Sequence, residues 1–532
     1  MLSLDSAKSL ALIGSLAAMA LAENPIISHR YLADPNGFVY NQRLYAICSK
    51  DDDNVNGYDM RGSILISTKD LMNWTDHGEV YHAPKDGTWG STAYAPTAVV
   101  RDGKVYYYVP NSGSAIGVVV ADRPEGPVRN PKNLISGTLC DGVAWCFDPG
   151  AFVDDDGQAY LVYGGGSNTG SNSGYGQNIR IVKLNKDMVS LGGSPIRLSL
   201  DKSFEGPFLS KYKGNYYLQY PMEGSSNIGL SMSTQPTSGW THKGSILDNP
   251  SLNGRNINGN NNSHTSIMEY EGQWYMFYHD RRLSNGAAYK RNVSIEKLTY
   301  NTDGTIKKVV VTTGIPQTRN FNPYDSIPAV TYSKQSLISA HTDVNNTGVR
   351  RVNLLVPRKS GAWMRISSVD FSTGAKSFQI HGGGTAASAK VEVRTGSETG
   401  TLAGTCTVAR TNSWTTLSTA TCDVAGLTGV KDLYLKFTGT DSNAVFTWFR
   451  FIPTSTSAQP RSTWAQPDIS SVPFTIHALD GTLLRTFQTS PGTTPATAWR
   501  AHGTDLPTGP YILRSPSPNG PTSTLVMRTP QP

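Results

Sequence analysis

Three acidic side chains and one imidazole open copies of a repeated segment: Asp34, Asp148, Glu205 and His264. Each is followed by a short apolar run, a polar turn and, 11 or 12 positions on, an aromatic residue: Tyr45, Tyr160, Tyr216 or Tyr275. A fifth copy runs from Ala95 to Tyr106. Gathered around one space, such carboxyl groups can divide the two proton tasks of glycoside hydrolysis. One delivers a proton to the leaving oxygen, and another takes a proton from a water on the opposite face of the sugar. A separation of roughly 6.5–9.5 Å leaves room for that water and leads to inversion. A third carboxylate beside the acid raises the acid's pKa by like-charge repulsion and keeps it protonated near neutral pH. Singly, each residue also has a structural reading, because Asp-Pro at Asp34 and Asp148 and Phe-Glu-Gly-Pro at Glu205 are turn or strand-start elements. The shared register favours the catalytic reading.

Something must bring these residues together. The segment starts recur about every fifty to sixty residues, a period that reads as propeller blades. The innermost strand of each blade lines the central channel, so equivalent positions converge. Further alternating strands follow each segment, as in Ile-Leu-Ile-Ser-Thr from Ile64 and Ile-Arg-Ile-Val-Lys-Leu from Ile179. Residues 23–315 are therefore expected to form a five-bladed β-propeller. After a connector at 316–325, residues 326–453 carry short alternating strands without the blade pattern, which indicates a β-sandwich. A Ser-, Thr-, Pro- and Gln-rich linker at 454–465 leads to a small β unit at 466–532. The fold class is all-β, in keeping with 52 glycines and 31 prolines and a hydrophobic share of 38%, which favour short strands and turns over long helices.

The net charge is +7, but Lys and Arg are scattered and form no basic run, which excludes a nucleic-acid surface. Residues 1–22 read as a secretory signal. Lys8, partly offset by Asp5, precedes an apolar stretch ending in Ala20 and Ala22, an A-x-A cleavage pattern before Glu23. The stretch is short for a membrane span. Five cysteines fit an oxidising compartment. Cys140 and Cys146 can close a small loop before Asp148, Cys406 and Cys422 can bridge neighbouring strands, and Cys48 is left over; five buried thiols are the alternative. Two aspartate triplets, 51–53 and 154–156, read as a loop near the pocket rim and a hairpin turn, with calcium binding open at either.

Residues 29–315 resemble glycoside hydrolase family 43, five-bladed propellers that attack arabinose- and xylose-containing plant polymers. The resemblance is carried by Ala-Asp34-Pro, Tyr94-Ala-Pro, Phe-Asp148-Pro, Glu205-Gly-Pro, the His264 segment ending Trp-Tyr-Met-Phe-Tyr-His, and Ser-Thr-Lys-Asp-Leu-Met-Asn-Trp-Thr-Asp-His-Gly from Ser67. It implies that Asp34 is the general base and Glu205 the general acid, that Asp148 orients Glu205 and tunes its pKa, and that the reaction inverts the anomeric carbon. It places His264 on the channel axis near a calcium held largely through waters, although calcium prefers oxygen ligands to a lone imidazole. It puts Arg291 against the acid or the sugar, and Tyr94 where the family usually has a sugar-stacking Trp. Asp-Pro-Asn-Gly at Asp34 is also similar to fructan-hydrolysing propellers, but those carry Glu-Cys at the acid and here Gly206 follows Glu205.

Residues 326–453 resemble family 6 carbohydrate-binding modules through Gly-Ala-Trp-Met-Arg-Ile and Phe-Thr-Trp-Phe-Arg-Phe-Ile-Pro, with Trp414 where such modules stack a sugar on an aromatic platform. The customary Glu-Ala-Glu opening reads Pro328-Ala329-Val330, and the partner aromatic is replaced by Val349. Residues 466–532 are similar to C-terminal modules of secreted bacterial enzymes. Together the resemblances imply a secreted inverting hydrolase that removes arabinofuranosyl or xylosyl residues from arabinoxylan or xylan, needs no metal for its chemistry, and has no membrane span after signal cleavage. An endo-acting arabinanase and a non-catalytic carbohydrate-binding propeller are the rival readings.

Overall fold

The computed structural model describes residues 23–454, except 56, 167–175, 343–351, 373, 388 and 441, together with four strands between 472 and 528. The expected leader, Val349 and nearly all of the expected linker lie outside the described residues.

Five antiparallel sheets follow one another along the chain. The first is Leu32–Tyr40, Arg43–Lys50, Gly62–Thr68 and Trp74–His82. The second runs from Thr97–Arg101 to Arg129–Ser136, the third from Gly150–Val153 to Ile196–Leu198, and the fourth from Phe208–Tyr212 to Thr241–Leu247. The fifth has three strands, Thr265–Tyr270, Gln273–Asp280 and Asn292–Leu298. The residues ahead of the first blade line the fifth blade's open edge: Ile26 N–H bonds Val293 O at 3.0 Å, and the Asn24 side chain bonds both backbone groups of Ile295 at 3.0 Å. That contact joins the ends of the ring.

Third strands such as Gly62–Thr68 and Ala115–Ala121 are buried at every position. A sheet packed on both faces reads as a continuous apolar run rather than an alternation. Separate hydrophobic clusters fill the spaces between successive blades, for example Tyr45, Ile47, Tyr107 and Val119 between the first and second.

The sandwich has two antiparallel sheets. One is ordered Ile338–Thr342, Asn353–Pro357, Ala444–Pro453, Ala375–Gly384, Ser418–Asp423, and the other Lys334–Ser336, Ala362–Asp370, Val430–Thr438, Lys390–Thr395, Thr401–Thr407. Both expected disulfides are formed. Cys406–Cys422 ties the end strands of the two sheets, Cys140–Cys146 closes the loop before Asp148, and Cys48 is a buried free thiol.

The sandwich is continuous with the propeller. Thr331–Tyr332 extends the first blade by pairing with Trp74 and Thr75. The Tyr332 hydroxyl meets His29 Nδ1 at 2.6 Å, and His29 Nε2 meets Asp76 at 2.8 Å. Asn73 and Ser367 exchange two hydrogen bonds. The connector expected at 316–325 is itself bonded into this seam, since Phe321 pairs with Ser368 and Asp370. A buried polar seam needs its partners in place, so the Trp-Thr-Asp-His segment serves the interface as well as the blade.

The C-terminal residues form a separate unit, an antiparallel sheet ordered Leu483–Thr489, Val472–His477, Gly509–Ser515, Thr522–Arg528. No helix among the described residues is long and apolar enough to cross a membrane.

Candidate active site

Four blades enter the channel through the same backbone turn. Asp34, Ala95, Asp148 and Gly206 have φ values of 51°, 48°, 50° and 53°, and each precedes a proline. Non-glycine residues in this region cost of order 1–3 kcal/mol and persist only where surroundings over-determine them. The fourth blade's equivalent of Asp34 and Asp148 is thus Gly206, and Glu205 lies one residue earlier. Counting to the downstream aromatic hides this offset, while the X-Pro step reveals it. The left-handed φ alone does not demand glycine, since Asp34, Ala95 and Asp148 share it; what sets Gly206 apart is the His264 ring, three atoms of which a Cβ would approach to 3.1 Å.

His264 is the hub. Its Nδ1 lies 3.2 Å from Asp34 Oδ1, and its Nε2 lies 3.3 Å from Glu205 Oε1 and 3.8 Å from Asp148 Oδ2. All three carboxylates are buried. Asp34 accepts from Ser49 Oγ at 2.6 Å and from the Arg291 guanidinium at 2.9 Å. Asp148 accepts the Gly206 N–H at 3.2 Å, and Glu205 accepts from the Asn262 amide. His279 Nδ1 accepts the Asp34 N–H at 3.1 Å, while its Nε2 faces the Asn262 carbonyl at 3.2 Å, so one ring proton satisfies both contacts.

Burial opposes charge on Asp34, Asp148 and His264, and the neighbours decide the outcome. Burial alone would raise Asp34, but the charges of Arg291 and His264 overcome it and hold the carboxyl well below the usual range. Asp148 is pushed well above the usual range by burial, opposed by His264 and reinforced by the charges of Glu205 and Asp34. Burial would lower His264, but Asp34, Asp148 and Glu205 raise it to about 9. The surroundings therefore favour the ionised form of Asp34 and the protonated form of Asp148.

Arg291 stands on Asp34's side of the cluster. Its Nε and one terminal nitrogen grip Asp51 at 2.9 and 2.8 Å while the other reaches Asp34. Asp51 is buried, so the first aspartate of the 51–53 triplet belongs under the site rather than at its rim and binds a guanidinium rather than calcium. In the second triplet, Asp154 is taken by Lys211 at 2.5 Å and by the Tyr216 hydroxyl, again in place of a metal. Replacing Arg291 with Met leaves buried Asp51 without its charged partner and takes one partner from Asp34, and breaking a buried pair typically costs about 3–5 kcal/mol. The expected result is a loss of that order in urea unfolding; an unchanged midpoint would show that the network is not stabilising.

Ser49, Asp51, His279 and Asn262 were not assigned to the site from sequence. Ser49 and His279 sit at the ends of regular strands, and Asn262 in an asparagine-rich loop, with no spacing signal. Tyr94 lies over the cluster: burial raises its pKa to about 12, opposed by its bond to Ser112 and reinforced by all three carboxylates. Its ring meets Tyr58 and Phe147. Trp414 is in the sandwich, 38% exposed and edge-on to His341, outside this cluster.

Ligand atoms of Asp148, Glu205 and His264 lie within 4.8 Å of one another, an acidic cluster that could accommodate a cation. Calcium asks for 6–8 oxygens. Two carboxylates, already bonded to Gly206 and Asn262, and one imidazole between carboxylates do not fit a calcium held directly by the protein.

Residues 22–306 match the profile of glycosyl hydrolases family 43, and residues 328–453 that of carbohydrate binding module family 6. An arabinoxylan arabinofuranohydrolase of Bacillus subtilis is 33% identical over 475 residues, covering 80% of this chain and 90% of that protein. One from Paenibacillus polymyxa is 33% identical over 470 residues, covering 79% and 72%. The crystal structure of a family 43 arabinoxylan arabinofuranohydrolase from Bacillus subtilis, in complex with cellotetraose, superposes with a TM-score of 0.74 at 32% identity, covering 81% of this chain and 97% of that one.

Proposed function

The chain belongs to glycosyl hydrolases family 43, and on that premise we propose that it is a secreted, inverting enzyme that releases arabinofuranosyl residues from arabinoxylan. The observation that carries this reading is the opposed pair of carboxyl environments around His264, Asp34 ionised on one side and Asp148 with Glu205 on the other. Carboxyl groups on opposite sides of one imidazole can divide the roles of base and acid.

In this mechanism Asp34 takes a proton from the attacking water, which adds to the anomeric carbon. Glu205 gives its proton to the departing glycosidic oxygen. An imidazole bridging the two through opposite nitrogens suits the roughly 6.5–9.5 Å that inversion requires. Asp148 positions Glu205 through the Gly206 N–H. Arg291 holds Asp34 ionised and oriented. Both protonation roles fall to carboxyl groups of this chain, so no step passes through a metal; calcium enters this reading only as a hydrated ion beside His264.

The arabinoxylan specificity is supported by the names of the two relatives and by the sandwich that follows the propeller. Secretion is supported by the leader-like residues 1–22 and the two disulfides. The test is a digest of wheat arabinoxylan followed from its first minutes by proton NMR. The expected product is arabinose, first seen as the β anomer from the α-linked branch, with the same release after exhaustive chelation by EDTA. Initial α-arabinose would overturn inversion, release of xylose or arabino-oligosaccharides would overturn the specificity, and loss of activity on chelation would overturn the metal-free chemistry.

A further inference from the structure

The loop ahead of Asp148 has no core of its own, yet it is tied down at four points. Within residues 137–146 only Cys146 is buried. Cys140–Cys146 closes the loop across a separation of 6 residues. Arg180, 1% exposed, reaches up from the third strand of the blade and holds Asp141 by its carboxylate at 2.6 Å and its carbonyl at 2.8 Å. Trp145 N–H bonds Gly165 O at 3.0 Å, and Cys146 N–H bonds Gly113 O at 2.8 Å. Such fastening of an exposed loop points to something that must be held in place.

What the loop holds is an indole. Trp145 is 38% exposed, and its ring stands edge-on to Phe147 at 5.4 Å and Phe204 at 5.8 Å. Those two residues immediately precede Asp148 and Glu205 in the chain. The ground behind the indole is cleared by glycines: a Cβ on Gly166 would approach it to 3.2 Å and one on Gly113 to 3.3 Å. A Cβ on Gly165 would press on Glu205 at 2.6 Å, so this glycine strand spaces indole and acid alike.

We propose that Trp145 is a specificity-determining residue that stacks on a backbone pyranose on the leaving-group side of the scissile bond, and that the Cys140–Cys146 bridge is the positioning element that keeps it there. The placement follows from the chemistry. Glu205 protonates the oxygen that departs with the polymer, so the sugar attached to that oxygen lies against whatever aromatic surface adjoins Glu205. A pyranose ring presents a face of C–H groups that an exposed indole covers well. A short loop without its own core cannot fix an aromatic side chain unless something else restricts it, and a covalent bridge removes alternative conformations at little cost to the folded state.

The inference rests on the proposed function, and two substrates separate them. One is methyl α-L-arabinofuranoside, whose leaving group has no ring to stack. The other is xylotriose carrying one arabinofuranosyl branch. Trp145→Ala is expected to raise KM for the branched oligosaccharide about tenfold with kcat nearly unchanged, and to leave the methyl glycoside unaffected. Trp145→Phe restores most of the affinity. The Cys140→Ala/Cys146→Ala double variant reproduces the Trp145→Ala pattern although its indole is intact, while Cys406→Ala/Cys422→Ala does not. Wild-type inactivity on both substrates would sink the function itself. With an active wild type, an unchanged KM in Trp145→Ala, or equal losses on both substrates, would refute the stacking role. A wild-type KM in the Cys140/Cys146 variant would refute the positioning role; should that variant not fold, the Trp145→Ala and Trp145→Phe pair still decides the stacking claim.

Discussion

Asp34→Asn is expected to lower kcat about 10²–10⁴-fold on every substrate, with good and poor leaving groups affected alike. The substitution is nearly isosteric. The single amide oxygen of Asn can still accept from Arg291, its NH2 can donate to Ser49 Oγ in place of the bond Asp34 accepts there, and Arg291 keeps its two-pronged grip on Asp51. The fold and KM should therefore survive, and the loss isolates one property, the negative charge that draws a proton from water. Because the leaving group needs no help from this residue, a nitrophenyl arabinofuranoside and arabinoxylan should fall together. Turnover close to wild type, in protein with an unchanged melting temperature, would remove Asp34 from the role of base.

Glu205→Gln separates the other half of the reaction by leaving-group dependence. Departure of a xylan hydroxyl needs a proton, so kcat on arabinoxylan should fall about 10²–10⁴-fold. A nitrophenolate is stable without one, so the same variant should hydrolyse nitrophenyl arabinofuranoside far faster than it does arabinoxylan. Equal losses on both substrates would instead indicate that Glu205 acts on the water or the sugar. Asp148 is the alternative donor, since it is the carboxyl whose proton is held by burial and by neighbouring charge. If Asp148→Asn showed the leaving-group dependence and Glu205→Gln did not, the roles of the two would exchange.

Much of this site is legible along the chain because propeller blades repeat. A repeat turns distant residues into equivalents, and equivalence around an axis means proximity, so Asp34, Asp148, Glu205 and His264 can be grouped before any contact is known. Gly206 shows the limit of the method. Two registers, one counted from the aromatic and one from the proline, disagree by a single residue, and only the backbone angles decide that Glu205 stands one step outside the turn that carries Asp34 and Asp148. Even so, its carboxylate reaches the same imidazole as theirs. Arg291 shows another limit: the resemblance puts it against the acid or the sugar, whereas it pairs with Asp34 and with a buried aspartate 240 residues away.

The all-β class, the five-blade periodicity and the grouping of the acidic residues were legible in the sequence alone, since periodicity, turn chemistry and residue type are local and survive without coordinates in space, while the choice between two disulfides and five buried thiols was left to the structure. The division of charge was decided by the tertiary structure. Whether a carboxyl keeps or loses its proton depends on the desolvation and on the sign of charges a few ångströms away, and those neighbours, Arg291 over Asp34 and Glu205 beside Asp148, come from other blades. The same holds for the exposed Trp145 against Phe204, a contact between segments of different blades that no pattern in either one announces.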